Sequence, residues 1–341
     1  MRYKLLGHSG LRVSEICLGT MTFGEVWGWG ASKEESHHIF DCFVEQGGNF
    51  IDTANNYTDG TSEQYVGECI ASDRDHFIVA TKYTLTTRKD DPNGGGNHRK
   101  NMVRAVEASL KRLGTDYIDL YWLHMWDFMT PVEEVMRALD DLVRAGKVVY
   151  AGISDTPAWV VSQANTLAEL RGWSRFVGLQ VPYSLTSRDV ERDLLPMARA
   201  FDMAVLGWAP LDGGELTGKY QTPTDAPRRY GDDPISERSK TCAGAVMQIA
   251  KEIGRTPAQV AINWVRQQQH LAEIIPIVGA RTAAQMRENL ACLEFTLSDE
   301  HLQRLEKVSS ISPGFPHSFL ASDHVKGLIY GTTFPLIDRH R

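Results

Sequence analysis

The sequence predicts an α/β protein: a closed (β/α)8 TIM barrel with an N-terminal β-hairpin and long loops on its C-terminal face. Two observations carry that expectation. Short apolar runs alternate with segments of helical periodicity eight times along the 341 residues, and eight strand-then-helix units favour one closed barrel over two open sheets. Several runs also end in polar residues, and the carboxyl ends of buried parallel strands are where such a fold gathers its chemistry.

Ahead of the barrel, residues 3–6 and 11–13 flank Gly7-His8-Ser9-Gly10, a hairpin within residues 1–15 expected to close the barrel's bottom. Strands are then expected at residues 16–20, 49–52, 77–82, 117–124, 148–154, 177–181, 204–208 and 274–277, each a short apolar run bounded by turn-forming or polar residues. Between them, Val103, Val106, Ala108, Leu110 and Leu113 predict one apolar helix face. Ser32 with Glu35, and Thr256-Pro257 with Gln259, read as helix starts. Four stretches break the alternation: residues 23–31 with Trp27 and Trp29, residues 86–97 with Gly94-Gly95-Gly96, the Pro-rich residues 213–236, and the tail 312–341 with Phe315, Phe319, Tyr330 and Phe334. The first three follow strands, so they belong on the upper face, where long loops shape specificity. The tail is expected near the same face, and residues 1–341 read as one barrel domain.

Composition excludes several classes. A hydrophobic content of 42% supplies a sizeable core, and a formal charge of −7 with interspersed signs offers no nucleic-acid-binding arm. No segment approaches the roughly 20 apolar residues of a membrane span, and the first residues lack the apolar stretch of a signal peptide. The five cysteines are scattered without a CxxC, as in a cytoplasmic protein with free thiols. His37 and His38 point apart on a helix and His98 and His270 lack partners at ligand spacing, so no metal is expected. Homo-oligomerisation is compatible with all of this.

The densest chemistry lies in Gly47-Gly48-Asn49-Phe50-Ile51-Asp52-Thr53-Ala54-Asn55-Asn56-Tyr57. One strand ends in Asp52 with Tyr57 five residues on; the next runs into Lys82 and the following one into His124. Reducing a carbonyl needs a hydride at carbon and a proton at oxygen. Tyr57 can supply the proton, but a phenol with a pKa of about 10 is a weak acid. An adjacent Lys82 ammonium is expected to lower that value, Asp52 to hold Lys82 charged, and His124 to orient the carbonyl oxygen. The same residues read equally as a buried ion pair with a capping tyrosine and a structural histidine.

The chain resembles the aldo-keto reductases, in particular their aryl-alcohol-dehydrogenase-like branch. Matching segments are Gly10-Leu11-Arg12-Val13-Ser14, Leu18-Gly19-Thr20-Met21, the Asp52/Tyr57 segment, Ala80-Thr81-Lys82, Asp119-Leu120-Tyr121-Trp122-Leu123-His124, Gly152-Ile153-Ser154, Trp208-Ala209-Pro210-Leu211, Leu216-Thr217-Gly218-Lys219, and Ile275-Pro276 through Glu288-Asn289. Together and in order they are specific. The resemblance implies NADPH or NADP+ bound extended across the barrel's top, consistent with the absence of G-x-G-x-x-G between strand and helix, and Asp52, Tyr57, Lys82 and His124 as catalytic residues. It also implies a cofactor set. Gly19, Thr20, Met21 and Asp52 would lie near the nicotinamide, with Ser154, Asp155 and Gln180 at its carboxamide. Trp208 would stack on the ring, and Ala209, Pro210, Leu211, Gly213 and Lys219 follow it. Ile277, Gly279, Arg281, Gln285, Glu288 and Asn289 form the adenosine end, with Arg281 suited to a 2′-phosphate. Thr282 and Gln285 also fit a capping box, so two roles are open to Gln285. Two residues depart from the family pattern: Asp155 stands for an asparagine and Ala209 for a serine.

The expected activity is interconversion of an aldehyde or ketone with its alcohol. Trp27, Trp29 and Trp126, around Tyr57 and His124, predict a broad apolar pocket for a bulky neutral ring compound. A second reading keeps the barrel and cofactor but makes the chain a redox-sensing regulatory subunit of the potassium-channel β-subunit type.

Overall fold

The computed structural model describes residues 1–220 and 235–338. Its first elements are a hairpin of β1 (Tyr3–Leu5) and β2 (Arg12–Ser14), antiparallel with Tyr3 opposite Ser14. Eight parallel strands follow: β3 (Cys17–Gly19), β4 (Phe50–Asp52), β5 (Ile78–Tyr83), β6 (Ile118–Leu123), β7 (Val148–Ser154), β8 (Phe176–Pro182), β9 (Ala204–Trp208) and β10 (Ile274–Val278). Each pairs with its sequence neighbours, and β10 closes on β3 with Ile277 opposite Cys17. All eight coincide with the expected strands to within two residues at either end, an ordinary scatter for strand limits.

Helices α1 (Lys33–Glu45), α2 (Thr61–Ile70), α3 (Arg99–Leu113), α4 (Val132–Arg144), α5 (Ala158–Arg171) and α6 (Leu194–Ala200) each follow one strand. Among the described residues, two helices, α7 (Glu237–Ile253) and α8 (Pro257–Arg266), separate β9 from β10, where strict alternation would place one. After β10 come α9 (Ala283–Leu290), α10 (Asp299–Ser309), α11 (His317–Leu320) and α12 (Asp323–Tyr330). Of the long stretch expected at 213–236, residues 221–234 lie outside the described residues; its start is a turn of 3₁₀ helix, Asp212–Thr217.

Two cores are separated by the barrel wall. The interior is filled by Leu6, Val13, Cys17, Phe50, Ile78, Leu120, Trp122, Leu206 and Ile275, with Leu6 and Val13 entering from the hairpin below. Trp122 is the largest of these, and Gly152 and Gly178 face it. A Cβ on Gly152 would stand 2.2 Å from the indole and one on Gly178 2.9 Å, so the glycine in Gly152-Ile153-Ser154 is dictated by the tryptophan one strand away. The outer core lies between the strands and the helix ring.

One expected helix face is corrected. α3 buries Met102, Ala105, Val106, Ser109, Leu110 and Leu113, whereas Val103 is exposed and Ala108 only half-buried. A small residue and a serine share the inward stripe, and both were invisible to a pattern read from large apolar side chains. The helix starts hold. Thr256 and Gln259 form a reciprocal capping box; Ser32 accepts from the Glu35 amide at 3.2 Å, but the Glu35 carboxylate points elsewhere.

Candidate active site

Asp52 closes β4 and Lys82 lies near the end of β5, so both side chains reach the upper end of the barrel. Lys82 has no solvent exposure. Its ammonium donates to Asp52 Oδ2 at 2.5 Å, to the Thr53 carbonyl at 2.8 Å and to the Tyr57 hydroxyl at 3.2 Å, a full complement for three N–H groups. Tyr57 is brought there by a tight reversal. Thr58 (φ 47°), Asp59 (φ 58°) and Gly60 (φ 91°) occupy the left-handed region and turn the chain into α2. The Thr58 hydroxyl anchors that turn by donating to the Phe23 carbonyl at 2.6 Å.

His124 follows β6. Its amide donates to Thr84 Oγ1 at 3.3 Å, and its ring meets Tyr57 edge-on with centroids 6.1 Å apart. Nδ1 is buried without a hydrogen-bond partner. Burial first, then the Lys82 charge, lowers the imidazole pKa to about 3, so the ring is neutral at physiological pH. A proton on Nε2 leaves only a lone pair in the dry position, the cheaper arrangement.

The electrostatics of Tyr57 correct an expectation. Burial raises its pKa; Lys82 pulls it down by charge and hydrogen bond, but Asp52 and Asp155 add to the rise, and the net direction is up. Burial disfavours a charged Lys82, but Asp52 and Tyr57 outweigh that and its pKa is raised. The cluster therefore holds a charged lysine against a protonated phenol.

Around these four, Ser154 ends β7 in register with Gln180, two residues before the end of β8. Ser154 Oγ is buried and has no partner, while Gln180 Nε2 donates to Asp52 Oδ1 at 2.9 Å. Asp155 takes a left-handed conformation (φ 38°) at the rim and accepts a hydrogen bond from the Trp208 indole. Dehydration of its carboxyl raises the pKa; the indole bond and Lys82 act against that. Trp208, at the end of β9, is exposed on the upper face. Ala209 is also left-handed (φ 54°), with Pro210 buried and Leu211 and Gly213 half-buried in the turn below.

Not every nominated residue faces outward. Thr20 is fully buried, and its hydroxyl bonds the Asp52 carbonyl at 2.9 Å and Ser62 Oγ at 2.9 Å. Ile277 packs inside the barrel, against the position a Gly19 Cβ would take. At the far end, Gln285 Oε1 accepts from the Arg281 amide at 2.9 Å, and buried Asn289 donates to the Gly279 carbonyl at 3.4 Å. Glu288 lies on the exposed face of α9.

Of the three tryptophans, Trp27 meets the Tyr57 ring edge-on with centroids 6.4 Å apart and packs against Trp29 in a tilted arrangement with centroids 5.7 Å apart. Trp126 is half-buried against the outer core and its amide donates to the Asp155 carbonyl at 3.4 Å. The residues that sequence reasoning missed are supports. Asn97 is fully buried; it donates to Thr84 Oγ1 and the Met125 carbonyl, and exchanges two bonds of 2.7 Å with Asp127. This latch joins the loops after β5 and β6 that carry Thr84 and His124. Only a buried-polar argument applied to Gly96-Asn97 could have signalled it.

A family model described as the aldo/keto reductase family matches residues 15–310. A norsolorinic acid reductase of Emericella nidulans is 39% identical over 322 residues, covering 92% of this chain and 82% of that protein. Norsolorinic acid reductase B of Dothistroma septosporum is 40% identical over 339 residues, 94% and 85% of the two chains. An aryl-alcohol dehydrogenase [NADP(+)] of Phanerodontia chrysosporium is 38% identical over 335 residues, 90% and 86%. No helix among the described residues is long and apolar enough to cross a membrane. The chain belongs to the aldo/keto reductase family, and with it to the oxidoreductases that interconvert carbonyls and alcohols.

Proposed function

We propose that the protein interconverts a ring-bearing aldehyde or ketone with its alcohol at the expense of NADPH or NADP+, with Tyr57 as proton donor. The observation that carries this is the Lys82 ammonium, held by Asp52 at 2.5 Å and within 3.2 Å of the Tyr57 hydroxyl. A phenol whose pKa is raised is loaded for reduction, and the ammonium beside it stabilises the phenolate left once the proton has gone. Neutral His124 donates to the substrate oxygen without adding a second cation beside Lys82.

The residues present fit a nicotinamide dinucleotide. Ser154 Oγ is a buried hydroxyl with no partner, a state costing about 1–3 kcal/mol that a carboxamide would relieve. Trp208 offers an exposed indole face for the ring. When bound, the reduced cofactor supplies the hydride. Ser154 and Gln180 orient the carboxamide, Asp155 and Trp208 frame the ring, and the Arg281 guanidinium takes the 2′-phosphate. Trp27, Trp29 and Tyr57 form an aromatic wall suited to a bulky neutral ring, in line with relatives named for aryl alcohols and norsolorinic acid.

A panel of aliphatic and aromatic carbonyls with NADPH, and of their alcohols with NADP+, tests the reading. Aromatic aldehydes or cyclic ketones should exceed glyceraldehyde-sized substrates in kcat/KM. Absence of turnover in both directions would sink it.

A further inference from the structure

The start of α9 is already filled by the protein's own groups. The Gln285 amide is taken by the Thr282 hydroxyl at 3.2 Å and the Arg281 amide by the Gln285 carbonyl oxygen. Both acceptors are neutral and local. The amide of Ala283, the first helical residue, instead donates to Glu35 Oε1 at 2.6 Å, a carboxylate from the first turn of α1. An acidic side chain in that position ordinarily turns back on its own helix start, as the amide side chain of Gln259 does in α8. Glu35 crosses to the neighbouring helix, its second oxygen 3.7 Å from His38 Nδ1. A further tie runs the same way: Thr22 Oγ1 donates to the Ala280 carbonyl at 2.6 Å.

We propose that Glu35 is a specificity-determining residue for the cofactor: its carboxylate stands at the positive end of α9 and opposes the 2′-phosphate of NADPH, narrowing the preference for NADPH over NADH. This rests on the reading that the 2′-phosphate lies against Arg281. A helix start carries roughly half a positive charge, which one carboxylate at 2.6 Å already compensates. A phosphate arriving at the same terminus meets a resident anion, screened by solvent but within a Debye length. NADH brings a neutral 2′-hydroxyl to that point and has nothing to be repelled.

Glu35→Gln keeps an oxygen for the Ala283 amide and removes only the charge. Equilibrium dissociation constants for NADPH and NADH, measured by protein fluorescence, should show NADPH tightened about three- to tenfold and NADH unchanged within about twofold. The gain should shrink in high salt. Glu35→Ala removes the cap as well; it should move the NADPH/NADH ratio by the same factor while lowering the melting temperature, which separates charge from capping. Arg281→Ala serves as the reference for the phosphate position. A ratio that responds to Arg281→Ala but not to the Glu35 variants overturns the assignment of Glu35 alone. A ratio that ignores Arg281→Ala overturns both claims by removing the phosphate from this helix, and equal tightening of the two cofactors shows that Glu35 acts on the fold.

Discussion

Lys82 keeps its charge without any solvent because three oxygens surround it; that arrangement makes Tyr57 the residue to perturb first. Tyr57→Phe retains the ring packing and loses only the hydroxyl, so kcat should fall about 10²–10⁴-fold while NADPH binding, followed by fluorescence, persists. Lys82→Met should be similarly damaging and also destabilise the fold by about 3–5 kcal/mol, since it strands a buried Asp52. Asp155→Asn keeps an acceptor for the Trp208 indole but removes a negative charge beside the proposed nicotinamide site. NADPH should tighten relative to NADP+ by about two- to fivefold, the scale of a partly exposed charge pair, measured as the ratio of dissociation constants. The positions of Asp52, Lys82 and His124 were legible because each ends an apolar run. Their hydrogen bonds were not. That the Gln180 amide serves Asp52, or that burial and two carboxylates outweigh Lys82 in setting the direction for Tyr57, depends on distances between strands far apart in sequence.

Among the elements, strands were read well and helix faces less so. A buried parallel strand is a continuous apolar run, whereas the stripe of α3 includes Ala105 and Ser109, which a hydrophobicity pattern passes over in favour of exposed Val103. Glycines in strands were legible only as positions, not as causes. Gly152 exists to seat Trp122, so Gly152→Ala should destabilise the barrel by about 1–3 kcal/mol through overpacking, read as the shift in urea midpoint. Combined with Trp122→Leu, which clears the contact, the penalty of the added methyl should largely vanish, leaving a non-additive pair. Because Gly152 lies two residues before Ser154, the single variant should weaken cofactor binding as well. Additive behaviour of the two substitutions would show that the glycine answers to something other than the indole.

At the scale of the whole molecule, one half-buried histidine sets an acid limit. An unfolded histidine titrates near 6.5 and His124 in the fold at about 3. The folded value is depressed, so its contribution to stability is complete above about 6.5 and is lost as pH falls toward 3. Urea denaturation followed across that window should show a steeper decline for the wild type than for His124→Gln; parallel curves would mean that other groups govern the acid limb. The barrel itself was legible because alternation leaves few topologies for eight parallel strands, and the start of α8 was marked by Thr256-Pro257 and Gln259, although α7, the helix directly after the long Pro-rich stretch, was not singled out.

Closure of β10 on β3 also imposes an order of events on synthesis. On one side β3 pairs with β4, Leu18 opposite Ile51; on the other, Cys17 and Leu18 find their partners in Ile277 and Val278 of the last strand, and below the barrel Lys4 donates to the Ile274 carbonyl at 2.9 Å. A ribosome must therefore release most of the chain before the first strand has both its neighbours. Until then β3 and the latest strand made present open edges, which invite pairing with other chains. Contacts this distant in sequence also slow the final step. The nascent protein is accordingly most prone to aggregation late in its synthesis, in the interval that ends when the last strand meets the first.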